Sequence, residues 1–544
     1  MGDNENRKVY KARQVKNYRE MVEYSCKNYA QNIAYKYKKD YTAKNVEYIE
    51  KTYEQVGKDI KAFGTGLLNL DLMGERIVVV GKNRYEWCIS YLATTCSNMV
   101  IVPIDKALPD IEMQRLIERS EAKAIIFDEK YLETIKKVQE KENSNLKTLI
   151  CMDNIQEKGI KTFNEILEEG RNQIKNGDQK YDNIEIDENK MSIMLFTSGT
   201  TNEPKAVMLS QANICANISN IACWVKLYPT DVLLSFLPIH HTFECTITFL
   251  YGFYSGSQVA FCDGLKHIQQ NLKEYKVSVF VAVPLVLETM YKKIQKAIEE
   301  QGKTGLIKKM TKISNTLLKA KIDIRKIVFK QILDNFGGHL RVVLYGAAPM
   351  NKATIIGYNN LGISLVQGYG LTETSPVVTA ETDKEKRPGS IGLALANLNL
   401  KIANPDNEGV GEITVKGPSV MLGYYKNPEE TKKVLKDGWF STGDYGYKDK
   451  DGFVYITGRK KDIIVLKNGK NVYPQEIEFL INKIPYIAES LVYSRDKDTT
   501  DTMLCAKIVY DKDAIKQMIG EKTEEEYKEI IWQEIKKINQ ELPI

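Results

Sequence analysis

The sequence predicts an α/β fold: a large N-terminal domain of two doubly wound α/β subdomains plus a small β-rich subdomain, followed by a small α+β C-terminal domain. Three observations carry this. Up to about residue 395, short β-branched runs alternate with longer helical stretches. Several of those runs are apolar nearly throughout, as strands covered on both faces of a parallel sheet must be. Beyond residue 395 the texture changes to short alternating strands with Gly-rich turns.

In chain order, the predicted strands are residues 76–80, 124–127, 192–196, 232–236, 258–261, 277–283 and 341–345. Helical periodicity fills 53–70, 110–120, 286–301 and 307–329 between them. Strand followed by helix, repeated, is the pattern of doubly wound layers. Gly409, Gly411, Gly417, Gly438, Gly443, Gly446 and Gly452 punctuate the β-rich stretch, about 395–456. A charged break, Thr457-Gly-Arg-Lys-Lys-Asp462, closes it, and a mixed segment then ends in a helix at about 522–540. The expected domains are 1–460 and 461–544.

Composition narrows the function classes. The chain has 544 residues, 43% hydrophobic and 27% charged, which excludes general disorder and fibrous repeats. Basic residues number 77 against 71 acidic, and a net +6 over so large a surface gives no reason to expect a nucleic-acid partner. The nine Cys include no C-x-x-C pair, so structural zinc and a disulfide framework are not expected, and a reducing compartment fits. The N-terminus, MGDNENRKVY, has no apolar targeting segment. The most apolar run, 277–287, contains Ser278 and Pro284 and falls short of the roughly 18 residues of a membrane span. A cytoplasmic protein is expected, with peripheral contact to the inner membrane face left open.

The most informative stretch is Phe196-Thr-Ser-Gly-Thr-Thr-Asn-Glu-Pro-Lys-Ala-Val-Met-Leu-Ser210, a hydroxyl-rich loop after an apolar strand. Backbone N–H groups, hydroxyls and an ammonium in one loop suit phosphate oxygens. A Walker loop is disfavoured, because Pro204 stands at its second Gly position and Ala206 at its Ser/Thr. A polar surface turn is the plainer alternative.

This loop resembles the signature of the adenylate-forming superfamily, the acyl- and aryl-CoA synthetases, luciferases and peptide-synthetase adenylation domains. Further motifs follow in that family's order: Leu237-Pro-Ile-His-His-Thr-Phe-Glu244, Tyr345-Gly-Ala-Ala-Pro349, Gln367-Gly-Tyr-Gly-Leu-Thr-Glu-Thr374, Ser441-Thr-Gly-Asp444, and Gly458-Arg-Lys-Lys-Asp462 with Asn471-Val-Tyr-Pro-Gln-Glu-Ile477. The resemblance implies activation of a carboxylic acid with ATP and Mg²⁺, then transfer to CoA. Two anions must then meet, so the site has to neutralise charge and align the carboxylate with the α-phosphate.

By the same resemblance, Thr197, Ser198, Gly199, Thr200, Thr201 and Lys205 hold the β- and γ-phosphates. Gly346, Ala347, Ala348 and Pro349, with Gln367, Gly368, Tyr369 and Gly370, form the adenine side, Tyr369 stacking on the base. Thr372 contacts the α-phosphate, and Glu373, helped by Ser198, binds Mg²⁺. Asp444 and Arg459 contact the ribose, and His241 lies near the acyl carboxylate. Plainer readings remain beside these: Glu373 as a helix cap, Asp444 as a turn former, His240 as a satisfied core side chain.

Thioester formation requires the C-terminal domain to be mobile, and the family's hinge position falls on Lys461, otherwise readable as part of a solvated basic turn. The turn Leu466-Lys-Asn-Gly469 resembles the part of the family that closes over the thioester-forming site, which implies Asn468 and Gly469 on the CoA side. The family also uses a lysine in a P-x-x-x-x-G-K type motif near the C-terminus. The chain ends Ile538-Asn-Gln-Glu-Leu-Pro-Ile544 without it, so the sequence is expected to be truncated, with poor adenylation as the alternative.

The motif at 237–244 and the helical stretch 307–329 look most like the long-chain fatty acyl-CoA synthetases. Residues 248–253 suit an acyl tunnel or ordinary core equally. The expected function is thus an AMP-forming fatty acid–CoA ligase. The alternatives are an acyl-AMP ligase that loads an acyl carrier protein, or a non-catalytic nucleotide- or acyl-binding module.

Overall fold

Apolar runs become the middle strands of two mixed sheets in the computed structural model, which describes residues 4–40, 42, 45–197, 203–465, 471–497 and 501–541. The first sheet has eight strands, in the order Gly423–Tyr424, Lys205–Ser210, Met191–Thr197, Val100–Pro103, Arg76–Val80, Ala124–Phe127, Thr148–Cys151 and Ile160–Thr162. From Met191–Thr197 onward its strands run parallel, and the two at the other edge are antiparallel.

The second sheet has nine strands: Leu393–Ala394, Val377–Ala380, Ser364–Gly370, Val342–Tyr345, Val279–Ala282, Val232–Ser235, Gln258–Phe261, Ile33–Lys38 and Tyr48–Thr52. Its centre is parallel and both edges are antiparallel. Val78, Ile125 and Met194 are fully buried in the first core, and Leu234, Phe280 and Val343 are buried in the second. These are the two doubly wound layers that the sequence predicts.

Helices begin where local chemistry allows. Thr52 and Gln55 form a reciprocal cap at Tyr53–Leu68, and Pro284 occupies the first turn of Pro284–Glu300, where its missing N–H has no partner to lose. The stretch 307–329 differs from expectation. It is two helices, Thr304–Lys319 and Arg325–Val328, separated at Lys321 in the left-handed region (φ +63°). The Asp323 carboxylate then accepts the Arg325 N–H and starts the second helix.

By compactness the chain divides into Met1–Asn399 with Lys416–Phe440, and Leu400–Val415 with Ser441–Ile544. Most of the strands Asn399–Ala403, Gly411–Lys416, Trp439–Lys448 and Val454–Arg459, which belong to one five-stranded sheet, fall in the second unit. Beyond that sheet, helix Pro474–Ile481, the antiparallel pair Ile487–Lys497 and Asp501–Tyr510, and helix Glu524–Glu541 enclose a core that includes Ile481, Val492, Ile515 and Ile531. No helix among the described residues is long and apolar enough to cross a membrane.

Candidate active site

The predicted phosphate loop leaves the strand Met191–Thr197 and returns in Lys205–Ser210. Register sets Thr197 directly opposite Lys205. Ser198, Gly199, Thr200 and Thr201 lie outside the described residues, as do Asn468 and Gly469. Lys205 opens the return strand, and its ammonium is 2.8 Å from the Glu430 carboxylate. It also lies 5.1 Å from the centre of the Tyr424 ring. A cavity of about 610 Å³ opens here, lined by Phe196, Pro204, Lys205, Tyr424, Lys426 and Glu430 among others.

Glu430 and Tyr424 come from a segment that the sequence reading did not single out. Gly423–Tyr424 adds to the edge of Lys205–Ser210, with Tyr424 opposite Val207. Asn427 accepts the Glu430 N–H and Pro428 fills the first turn, so a short helix, Pro428–Val434, starts there and aims Glu430 at the lysine. Lys205 first, and Lys433 after it, pull the Glu430 carboxyl down to about 2. Asn-Pro-Glu-Glu is a readable helix start, but its partner lies 225 residues away.

The Tyr424 hydroxyl donates to Glu373 at 3.0 Å, so one ring touches both the loop lysine and the predicted metal ligand. Burial first, then the Glu373 charge, push the Tyr424 phenol up, which keeps it a donor at neutral pH. Glu373 sits in the short turn Thr372–Thr374, and its carbonyl accepts the Met421 N–H at 2.8 Å.

One helix orders both sides of this arrangement. Asn213 and Asn217, one turn apart on Gln211–Trp224, are both buried. Asn213 donates to the carbonyls of Pro418 and Val420, ahead of Tyr424; Asn217 donates to Val377 O at 2.7 Å, just after the Glu373 turn. Among the described residues no group of three His, Cys, Asp or Glu could enclose a metal. A single carboxylate suits Mg²⁺, which completes its shell with phosphate oxygens and water.

The predicted adenine segments lie side by side. Tyr345 pairs with Gln367 across parallel strands, and its hydroxyl donates to Gln367 Oε1 at 2.9 Å. At the strand's carboxyl end the chain turns through Gly346 and Ala347, the latter at φ +72°. A Cβ on Gly346 would stand 2.6 Å from the Gly368 carbonyl oxygen, so only glycine lets the two segments approach this closely. Tyr369 pairs with Thr379 on the neighbouring strand. Ligands of open α/β sheets bind outside the carboxyl ends of the strands, where these residues stand.

His240 and His241 occupy the loop after Val232–Ser235. Asn83, from the end of the first sheet, donates to Ser235 Oγ at 2.8 Å and to Leu237 O at 2.7 Å, and so holds the loop's base. His240 lies 3.8 Å from Asp105, yet burial outweighs that charge and lowers its pKa to about 4. His241 is the more exposed, and the protein packed around it also lowers its pKa, so both imidazoles are neutral at pH 7. Below them Glu244 is fully buried. Burial raises its carboxyl to about 8 although Ser235 and Thr248 hydroxyls donate to it at 2.7 and 2.8 Å. Thr248, Phe249 and Phe253 of the predicted tunnel segment are packed in the core.

In the second unit Asp444 and Arg459 face each other across antiparallel strands, and the guanidinium Nε is 2.7 Å from the carboxylate. The Asp444 side chain is 4% exposed, with its N–H donated to Thr442 Oγ1. Lys460 pairs with Glu412 at 2.9 Å, and Lys461 is exposed in the turn Lys460–Asp462 that follows.

Residues 22–425 match the family profile described as AMP-binding enzyme, and residues 461–544 match that of the AMP-binding enzyme C-terminal domain. Long-chain-fatty-acid–CoA ligase 6 of Mus musculus is 30% identical over 498 residues, covering 85% of this chain and 70% of that protein. The chloroplastic long-chain-fatty-acid–[acyl-carrier-protein] ligase AEE15 of Arabidopsis thaliana is 28% identical, covering 89% and 76%. The crystal structure of ATP-bound MatB from Rhodopseudomonas palustris shares the fold, with a TM-score of 0.71 at 24% identity over 91% of this chain and 89% of that one. The first profile spans well over half of the sequence and takes in both sheets and the Lys205–Tyr424–Glu373 arrangement, and the chain belongs to the AMP-binding enzyme family.

Proposed function

We propose that this chain is an AMP-forming fatty acid–CoA ligase acting on long-chain acids. The observation that supports it best is the linkage of Lys205 to Glu373 through Tyr424, which sets a phosphate-binding cation and a hard oxygen ligand on either side of one ring.

In the first step a carboxylate oxygen of the acid attacks the α-phosphorus of ATP, the bond to the bridging oxygen breaks, and pyrophosphate leaves. Lys205 and the loop 198–204 hold the departing phosphates, Thr372 orients the α-phosphate, and Glu373 holds Mg²⁺, which supplies charge neutralisation. Neutral His241 offers the incoming carboxylate a hydrogen bond without trapping it in an ion pair. Asp444 and Arg459 hold the ribose. In the second step the CoA sulfur, having lost its proton, attacks the acyl carbonyl and AMP leaves. The segment beyond Lys461 moves between the two steps, with Asn468 and Gly469 on the CoA side.

The name of the Arabidopsis relative supports a second reading, in which a carrier-protein thiol replaces CoA. The test incubates the protein with ATP, Mg²⁺ and palmitate, adding either CoA or an acyl carrier protein, and follows pyrophosphate and thioester. A second assay starts from preformed palmitoyl-AMP and CoA. Glu373→Gln abolishes Mg²⁺-dependent pyrophosphate release if the assignment holds, and full activity in that variant removes Glu373 from the site. Absence of both products in both assays overturns the ligase reading. The proposed location is cytoplasmic, with peripheral membrane contact.

A further inference from the structure

We propose that the surface formed by residues 285–327 docks this chain on an anionic lipid bilayer. Residues 303–330 contain nine basic side chains and one acidic, a net +8, while the remainder of the chain holds 68 basic against 70 acidic. The positive balance of the whole protein is therefore gathered on one short stretch.

The same stretch exposes apolar side chains that a water-facing helix would not keep. Ile327 is 77% exposed, and Leu306, Ile313, Leu318 and Ile322 are exposed as well; Leu285, at the start of the preceding helix, is 74% exposed. On the helix Thr304–Lys319 the exposed arc runs from Lys308, Lys312 and Lys319 through Lys309 to Ile313 and Leu306, and Met310 and Leu317 beyond them are half-buried. The arc from Ser314 to Asn315, on the side away from Lys309 and Thr316, is already used. Ser314 is fully buried, and Asn315 donates to Asn360 at 2.8 Å on the helix Lys352–Leu361, against which this helix packs. Leu306, Ile313 and the lysines are thus turned outward together by the contacts on the packed side, which is the layout of a helix lying in a bilayer interface.

Two other occupants fit less well. Single-stranded nucleic acid wants exposed aromatic platforms and free guanidinium groups. The aromatic side chain of this stretch, Phe329, is buried, and Arg325 is tied to Asp323 at 2.6 Å and to Asn359 O. A second copy of the chain would bring two patches of like charge together across a two-fold axis. Anionic headgroups with acyl chains beneath satisfy the lysines and the apolar side chains at once. That the bilayer also supplies the acid rests on the activity proposed above; the docking does not.

The experiment is cosedimentation of the full chain with vesicles of phosphatidylcholine alone and of phosphatidylcholine containing phosphatidylglycerol. Wild type should partition onto the anionic vesicles and come off as salt is raised. Lys308→Glu with Lys309→Glu and Lys312→Glu should lower that partitioning by about tenfold or more. Leu306→Ser with Ile313→Ser should lower it severalfold at unchanged charge. Unaltered melting of both variants confirms that they fold. Equal binding to both vesicle types, or charge-reversed protein that binds like wild type, overturns the proposal; so does a single-stranded oligonucleotide that binds while vesicles do not. Pyrophosphate release with palmitate, and thioester from palmitoyl-AMP and CoA, in vesicle-free buffer read the enzymatic proposal separately. Either product without vesicle binding sinks the docking, and vesicle binding with neither product leaves the docking and sinks the ligase.

Discussion

Lys205 and Glu430 form an ion pair at 2.8 Å that joins the return strand of the phosphate loop to a helix 225 residues further on. The lysine is held in a defined direction by a carboxylate before any phosphate arrives. Glu430→Gln keeps the shape and removes the charge, so the ammonium loses its fixed position. The expected result is about a tenfold fall in kcat/KM for ATP, carried by KM, since the lost term is positioning. Pyrophosphate-release kinetics measure it, and unchanged KM for ATP would count against this role.

Tyr424→Phe leaves the ring against Lys205 and removes the hydroxyl from Glu373. Removing one hydrogen bond to a charged acceptor should raise the Mg²⁺ concentration for half-maximal activity by roughly 10-fold. A Mg²⁺ titration at saturating ATP reads this directly, and an unaltered midpoint refutes it.

Lys461→Pro fixes φ in the exposed turn after Arg459. Adenylate formation should survive while thioester formation from preformed acyl-AMP falls if, as proposed, only the second step needs the segment beyond Lys461 to move. Equal loss of both steps removes Lys461 as the hinge.

Glu244→Gln tests the buried carboxyl. Burial raises it to about 8 from an ordinary 4.5, so between those values the folded chain keeps a proton that the unfolded chain has released. Rising pH therefore favours unfolding across this window and stops doing so above it. Stability of the variant relative to wild type should improve steadily from about pH 5 to about pH 8.5, followed by denaturant midpoints. A difference that stays constant with pH would show that the carboxyl titrates normally.

Gly346→Ala drives a methyl group toward the Gly368 carbonyl, 2.6 Å from where Cβ must sit. Separating the two segments should cost roughly 1–3 kcal/mol of stability and weaken nucleotide binding. Calorimetry and nucleotide titration check the pair, and wild-type values in both would mean that the turn is free to move.

Much of this arrangement was legible in the chain because its signals are local. Apolar runs such as 124–127 and 258–261 became strands with the same bounds, and the Gly346 turn and the Gln367–Gly370 run are motifs in their own right. What escaped was non-local. Tyr424, Glu430, Asn213 and Asn217 look like an edge strand, a helix cap and two ordinary polar helix residues, and only strand pairing makes them one assembly. Val100–Pro103 was missed as a run too short to separate from its surroundings, and the break at Lys321 because a lysine is an uncommon residue for left-handed backbone.

The pairing of Thr197 with Lys205 separates the position of the lysine from the length of the loop between them. Buried Val207 and Leu209 fix the return strand against its neighbour, so a residue added between 198 and 204 is taken up by the loop and leaves Lys205 opposite Thr197. Substitutions within the loop alter its chemistry by degrees. A change of one in its length leaves the lysine where it is, so variation in the loop should act on the loop's own hydroxyls and spare the cation.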